Sequence, residues 1–143
     1  MPHESREFRI SIPAESRHLK AVRLFLESVL ADAMGDTLPM VVLAIDEACA
    51  NVVRHRHDAV GAGNVDLRLT VGADHFQLRI GAFCRTQDLP RIQPRDLADV
   101  RPGGLGTHFI GSIMDKVAFE PEPESPGCMA LVLEKRRPAA GPS

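Results

Sequence analysis

The sequence predicts an α+β fold, a two-layer sandwich with helices on one face of a mostly antiparallel sheet. Three observations predict it. Short segments of alternating apolar and polar residues recur at the start, the middle and the end of the chain. Two amphipathic helical stretches follow the first of them, and the later ones come as neighbouring pairs joined by turns, which is how antiparallel hairpins are encoded.

The first strand is carried by Phe8, Ile10 and Ile12, which alternate with Arg9 and Ser11 until Pro13 closes it. Ser16 is a suitable N-cap for a helix whose apolar residues recur at Leu19, Val22, Phe25, Leu26, Val29, Leu30 and Ala33, with Gly35 as its stop. Thr37 can cap a second helix, with Pro39 in its first turn, where a missing N–H costs nothing. That helix is expected to reach about His57, with Val41, Val42, Ile45, Ala48, Cys49 and Val52 on its apolar arc. Val65, Leu67 and Leu69, then Phe76, Leu78 and Ile80, alternate with polar residues around Gly72-Ala73-Asp74 and predict a hairpin. From Cys84 to Pro102 there are three prolines and little sustained periodicity, so a long lid-like loop is expected. Gly103-Gly104-Leu105-Gly106 opens a short helix through Phe109, Ile110, Ile113 and Met114. Two strands, Lys116 to Glu120 and Cys128 to Glu134, flank a turn rich in Pro and Glu, and Arg136 to Ser143 reads as a frayed tail.

One domain covering residues 1–143 is expected, with its core at about 8–135, since no repeat or internal linker divides the chain. A charged fraction of 25% and a hydrophobic fraction of 44% are those of an ordinary globular protein, which excludes a disordered or fibrous class. The net charge of -2, without a block of Lys or Arg, gives no electrostatic footprint for nucleic acid or an anionic membrane and favours a protein or small-molecule partner. Three widely spaced cysteines, Cys49, Cys84 and Cys128, with no C-x-x-C pair, predict reduced thiols and a cytoplasmic location. The polar N-terminus and the short apolar run Val41 to Ile45 predict neither export nor membrane insertion.

Two segments carry candidate chemistry. On the second helix, Glu47, Asn51 and Arg54 or His55 fall in one narrow stripe beside the buried arc. Such a stripe is either the polar flank of an amphipathic helix or the wall of a cleft. The run Arg101 to Ile110 places glycines immediately before a helix, an arrangement that serves as a tight turn or as a phosphate cradle, where backbone approaches the ligand and the helix dipole favours anions.

Taken together, these segments resemble one known family. Glu47-x-x-x-Asn51 resembles the N box of the histidine kinase-like (GHKL) ATPase superfamily, and Gly104-Leu105-Gly106 resembles its second glycine box. Within that superfamily, Ala44 to Val52 and Gly103 to Asp115 are similar to the anti-sigma factor serine kinases of bacterial partner-switching systems, over about residues 8 to 135. The resemblance implies a histidine kinase-like ATPase fold with ATP and Mg²⁺ between the N-box helix and the lid. It implies Asn51 as a Mg²⁺ ligand, Glu47 as the base for a substrate serine, and Gly103, Gly104, Leu105, Gly106, Thr107 and His55 around the phosphates. Whether Arg54 or His55 touches phosphate stays open. Sigma factor and a STAS-domain antagonist are the implied partners, a homodimer the implied assembly. The family's Asp-x-Gly-x-Gly-Phe, whose Asp anchors adenine, aligns with Ala82 at the Asp and Cys84 at the first glycine. Near the last strand, Gly127 is followed by Cys128 and Met129 instead of Thr or Asn. Enzymatic activity is therefore left open: either a kinase toward the antagonist, or a nucleotide-deficient module that binds a sigma factor or antagonist without phosphoryl transfer.

The remaining candidates have simpler readings. Cys49, His55 and His57 lack a zinc spacing, and Cys49 lies on the apolar arc as core. Arg85, Arg91, Arg95 and Arg101 are solvated loop charges or a grip for phosphate or a partner's acids.

Overall fold

The structure, a computed structural model, describes residues 5–59, 63–83 and 105–138. Strand β1 (Arg6–Pro13) leads through a tight turn at Ser16–His18 into α1 (Leu19–Met34), and a second tight turn, Gly35–Thr37, leads into α2 (Leu38–Ala59). Then come β2 (Asn64–Val71), β3 (His75–Phe83), α3 (Leu105–Ile113), β4 (Lys116–Pro121) and β5 (Met129–Arg136). The five strands make one sheet in the order β1-β2-β3-β5-β4, and every neighbouring pair is antiparallel.

The register is set by the alternation seen in the sequence. Ile10 pairs with Leu67, Leu67 with Ile80, and Ile80 with Leu131, so apolar residues line up across four strands on one face. A slip of one residue would turn every such side chain to the other face, which is why the pattern specifies the register. Val22, Leu26 and Leu30 of α1, Val41, Ile45, Cys49 and Val52 of α2 and Ile110 of α3 join those strand residues in a single core. Among the described residues, all three helices therefore cover the same face, as predicted. β5 is buried on both faces: Leu131 and Leu133 join this core, whereas Ala130 and Val132, equally buried, lie outside it on the opposite face.

The stretch Ser16–His55 is long and apolar enough by composition to cross a membrane. In the fold it is two helices meeting at Gly35, with their apolar stripes turned into the core. Gly35 has φ of 52°, a left-handed conformation that glycine adopts without strain, and it ends α1 as the sequence suggested.

Local corrections concern the caps and the ends. Ser16 does not cap α1; its residue opens a tight turn in which His18 N–H donates to the Glu15 carbonyl, and α1 starts at Leu19 with no side-chain cap. Thr37 does not cap α2 either, because its hydroxyl donates backwards to the Met34 carbonyl at 2.7 Å, satisfying the end of α1 instead. β3 continues to Phe83 and α2 to Ala59, both past their expected ends. The tail starts later than expected: Arg136 is still in β5, and Arg137 N–H donates to the Asp74 carbonyl at 2.7 Å.

Candidate functional site

The N-box stripe lies on α2. Burial of Val41, Val42, Ala44, Ile45, Ala48, Cys49, Val52 and Val53 fixes the rotation of this helix. It leaves Glu47, Asn51 and His55, at spacings of four, half-buried beside the packed arc, and Arg54 exposed. Arg23 Nη1, 3.1 Å from Asp46 Oδ1, ties α1 to α2 one residue before Glu47. A polar flank meant only for solvent would be fully exposed; these three side chains stand at the rim between packed core and solvent.

Asn51 is engaged within its own helix. Its Oδ1 accepts a hydrogen bond from Arg54 Nη2, three residues on. His55 Nε2 is buried and has no hydrogen-bond partner among the described residues, an expense that a ligand oxygen would relieve. Cys49 is free and fully buried on the core side of α2, and burial, with the nearby Asp46 charge adding to it, pushes its thiol up to about 12. It is a core residue, as the sequence suggested. Cys128 is disulfide-bonded, so the expectation of three reduced thiols does not hold.

α3 begins at Leu105 and lies against α2, the helix that carries Glu47 and Asn51. Leu105, Gly106 and Thr107 form the first turn of α3, whose leading N–H groups have no partner within the helix. Gly103 and Gly104 lie outside the described residues, as do Cys84 and the lid arginines at 85, 91, 95 and 101.

At the end of β3 the ladder with β5 breaks between Ile80 and Phe83. Gly81 there has φ of 134°, and a Cβ on it would stand 2.9 Å from Phe83 Cε2 and 3.4 Å from the Met129 carbonyl. Bulges of this kind re-aim the chain next to functional sites. Position 82, which the resemblance gives to the adenine-binding Asp, follows Gly81 in the sequence, and an alanine there offers no acceptor. Phe83 packs edge-on to Phe119 with ring centroids 6.0 Å apart, holding the bulge to β4.

The donor set suits a magnesium ion only in part. Magnesium takes hard oxygen ligands, one or two from protein, with the rest from water and phosphate. Asn51 Oδ1 and the Glu47 carboxylate are such oxygens one helical turn apart, although Arg54 already holds the Asn51 oxygen. Among the described residues, no group of three or more His, Cys, Asp or Glu side chains is placed to bind a metal without a ligand's help.

An antiparallel sheet with helices on one face, an N-box stripe on α2 and a glycine-led helix against it define a GHKL-type nucleotide-binding domain. The histidine kinase-like ATPase domain family matches residues 12–135, and the chain belongs to that family. Among curated relatives it is 32% identical to the serine-protein kinase RsbW of Bacillus velezensis, over 78% of this chain and 76% of the relative. It is 26% identical to RsbW of Halalkalibacterium halodurans, over 82% and 78% of the two chains, and 28% identical to RsbW of Bacillus subtilis, over 84% and 81%. The chain thus falls within the RsbW serine-kinase branch of the family.

Sequence reasoning found the stripe and the glycine run but passed over the contact of Arg54 with Asn51. The signal was present, since residues three apart on a helix are neighbours. It also passed over a row of arginines on the far face of the sheet, visible only once the strand register is known.

Proposed function

We propose that this protein is a cytoplasmic anti-sigma regulatory factor that acts as an ATP-dependent serine kinase on a STAS-domain antagonist and also binds a sigma factor, working as a homodimer. The observation that carries the reading is the half-buried Glu47 and Asn51, one turn apart on a helix that packs against the glycine-led α3. A helix used only as scaffold needs neither residue at that rim. The names of the RsbW relatives supply the substrate residue, a protein serine.

In this reading Glu47 accepts the proton of the substrate serine as its oxygen forms the new bond to phosphorus and the bond to the departing diphosphate breaks. Asn51 Oδ1 is the protein ligand for Mg²⁺, which when bound would neutralise charge on the phosphate oxygens. Backbone N–H groups of Gly103, Gly104, Leu105, Gly106 and Thr107, at the positive end of α3, hold the phosphates, and His55 Nε2–H donates to an oxygen at their edge.

Two observations favour a second reading, a partner-binding module without phosphoryl transfer. The resemblance puts Ala82 at the adenine anchor's position, and Arg54 holds the Asn51 oxygen that it gives to the metal.

The deciding experiment mixes the protein with labelled ATP, Mg²⁺ and a STAS-domain antagonist. Phosphoserine that forms with the native protein and is lost in Glu47→Ala supports the kinase. A stable complex with no transfer supports the module, and the absence of both, with no complex with a sigma factor either, overturns the two readings together.

A further inference from the structure

Arg9, Arg68 and Arg79 stand in one cross-strand row, Arg9 paired with Arg68 across β1 and β2 and Arg68 with Arg79 across β2 and β3. The residues that alternate with them enter the core under the helices, so the row lies on the opposite face of the sheet, away from the Glu47-Asn51 stripe. Like charges directly opposite one another destabilise a sheet, and a row of three needs counter-charges.

Glu7 on β1 supplies one, 2.8 Å from Arg9 Nε and 3.9 Å from Arg68 Nε, and the others come from the turn between β4 and β5, which folds back over the sheet. Glu124 places Oε1 2.8 Å from Arg9 Nη2 and Oε2 2.9 Å from Arg68 Nη1. Glu122 lies 3.0 Å from Arg68 Nη2 and 3.5 Å from Arg79 Nε, and Arg79 Nη2 donates to the Pro121 carbonyl at 2.7 Å. The inner part of this clasp is nearly buried, with Glu122 at 10% and Arg79 at 13% side-chain exposure. The outer part is loose, with Arg9 at 58% and Glu124 at 54%, and exposed pairs of this kind hold weakly. Beside the loose arm a hollow of about 300 Å³ opens between Arg9, Ser11, Asp66, Arg68 and Glu124.

We propose that the arginine row is a docking surface for an extended acidic segment of a partner protein, and that the turn Glu122-Pro123-Glu124 occupies it as a built-in competitor. Charge complementarity carries the assignment, and the chain displays the recognition mode itself: two carboxylates two residues apart, gripped by guanidinium forks that suit carboxylates. If fastening the turn were the sole purpose, apolar side chains at 9 and 68 would serve as well, without the repulsion of the row. Because the turn is tethered, it competes at a high effective concentration. An outside segment must therefore carry several carboxylates, and it first displaces the loose Glu124 arm.

The test uses a fluorescein-labelled peptide with the chain's own sequence from Glu120 to Ser125 as the acidic probe, read by anisotropy at low salt. Binding to Glu122→Gln/Glu124→Gln is expected to be at least ~10-fold tighter than to the native protein, to weaken with salt, and to vanish when Arg68→Gln is added. Equal affinity for native and variant proteins, or binding that survives Arg68→Gln, overturns the proposal. If circular dichroism shows the double variant unfolded, Glu124→Gln alone, which keeps the buried anchor, is expected to bind at least ~3-fold tighter. If releasing the turn yields a dimer on light scattering that Arg68→Gln reverses, the row belongs to a second copy of the chain and the assignment to a partner segment fails.

Discussion

Arg54 donates a side-chain hydrogen bond to the Oδ1 of Asn51, so a fixed positive charge rests on the oxygen that a magnesium ion would use. The two cations compete for it. Arg54 is exposed, and a hydrogen bond of this kind contributes about 0.5–1.5 kcal/mol, which corresponds to about 2- to 10-fold in affinity. Arg54→Met is therefore expected to raise the ratio of nucleotide affinity with Mg²⁺ to affinity in a chelator by about 2- to 10-fold, as measured by calorimetry. The chain has no Trp or Tyr, so intrinsic fluorescence is not available as the signal. A ratio that does not change would show that Arg54 and the metal do not contend.

The bulge at the end of β3 separates backbone from side-chain requirements at adjacent positions. Gly81→Ala forces a Cβ into a conformation with φ of 134° and against the Phe83 ring, and is expected to cost about 1–3 kcal/mol in chemical denaturation. Ala82→Asp restores a carboxylate at the position assigned to adenine. Since a hydrogen bond to a charged group contributes about 1.5–3 kcal/mol, adenine nucleotides should bind about 10- to 100-fold tighter. Nucleotides with other bases should gain little. An equal gain for all bases, or none for adenine, would place the anchor elsewhere than residue 82.

The strands and helices were legible because burial repeats with their own periods. Ile10, Leu67, Leu78 and Ile80 are spaced for one sheet face, and Val41, Ile45, Cys49 and Val52 for one helix face. The stripe of Glu47 and Asn51 was legible for the same reason, as the polar edge of that helix pattern. The caps were less so: Ser16 and Thr37 have the right chemistry, but tight turns already satisfied the backbone groups that they would have served. The arginine row was not legible at all. Arg9, Arg68 and Arg79 each look like an ordinary outward residue of an alternating strand, and only the pairing of three strands makes them neighbours. Glu122 and Glu124 looked like turn residues, and nothing local states that the turn folds back over the sheet.

That clasp gives the protein an acid-sensitive element whose sign can be worked out. For Glu122, burial alone would raise the pKa, but the Glu124 N–H and the charges of Arg68 and Arg79 outweigh it, and its carboxyl sits below its ordinary value of 4.5. The hydrogen bond from Arg9, with the charge of Arg68, lowers Glu124 in the same direction. A carboxyl whose folded pKa is depressed stabilises the fold fully above the unfolded value, and that contribution is lost as pH falls through the lower, folded value. Stability should therefore hold from neutral pH down to about 4.5 and decline below it. Glu122→Gln, which removes the charge and keeps the shape, is expected to cost about 1–3 kcal/mol at pH 7. The variant should also lose less stability than the native protein between pH 5 and pH 3, because its residue 122 has no proton to take up. Urea unfolding across that range measures both effects. Asp74, lowered by its hydrogen bond from His75, adds the same acid slope to both proteins and cancels in the difference. Parallel stability curves for native protein and variant would mean that Glu122 is not held by the arginines in solution.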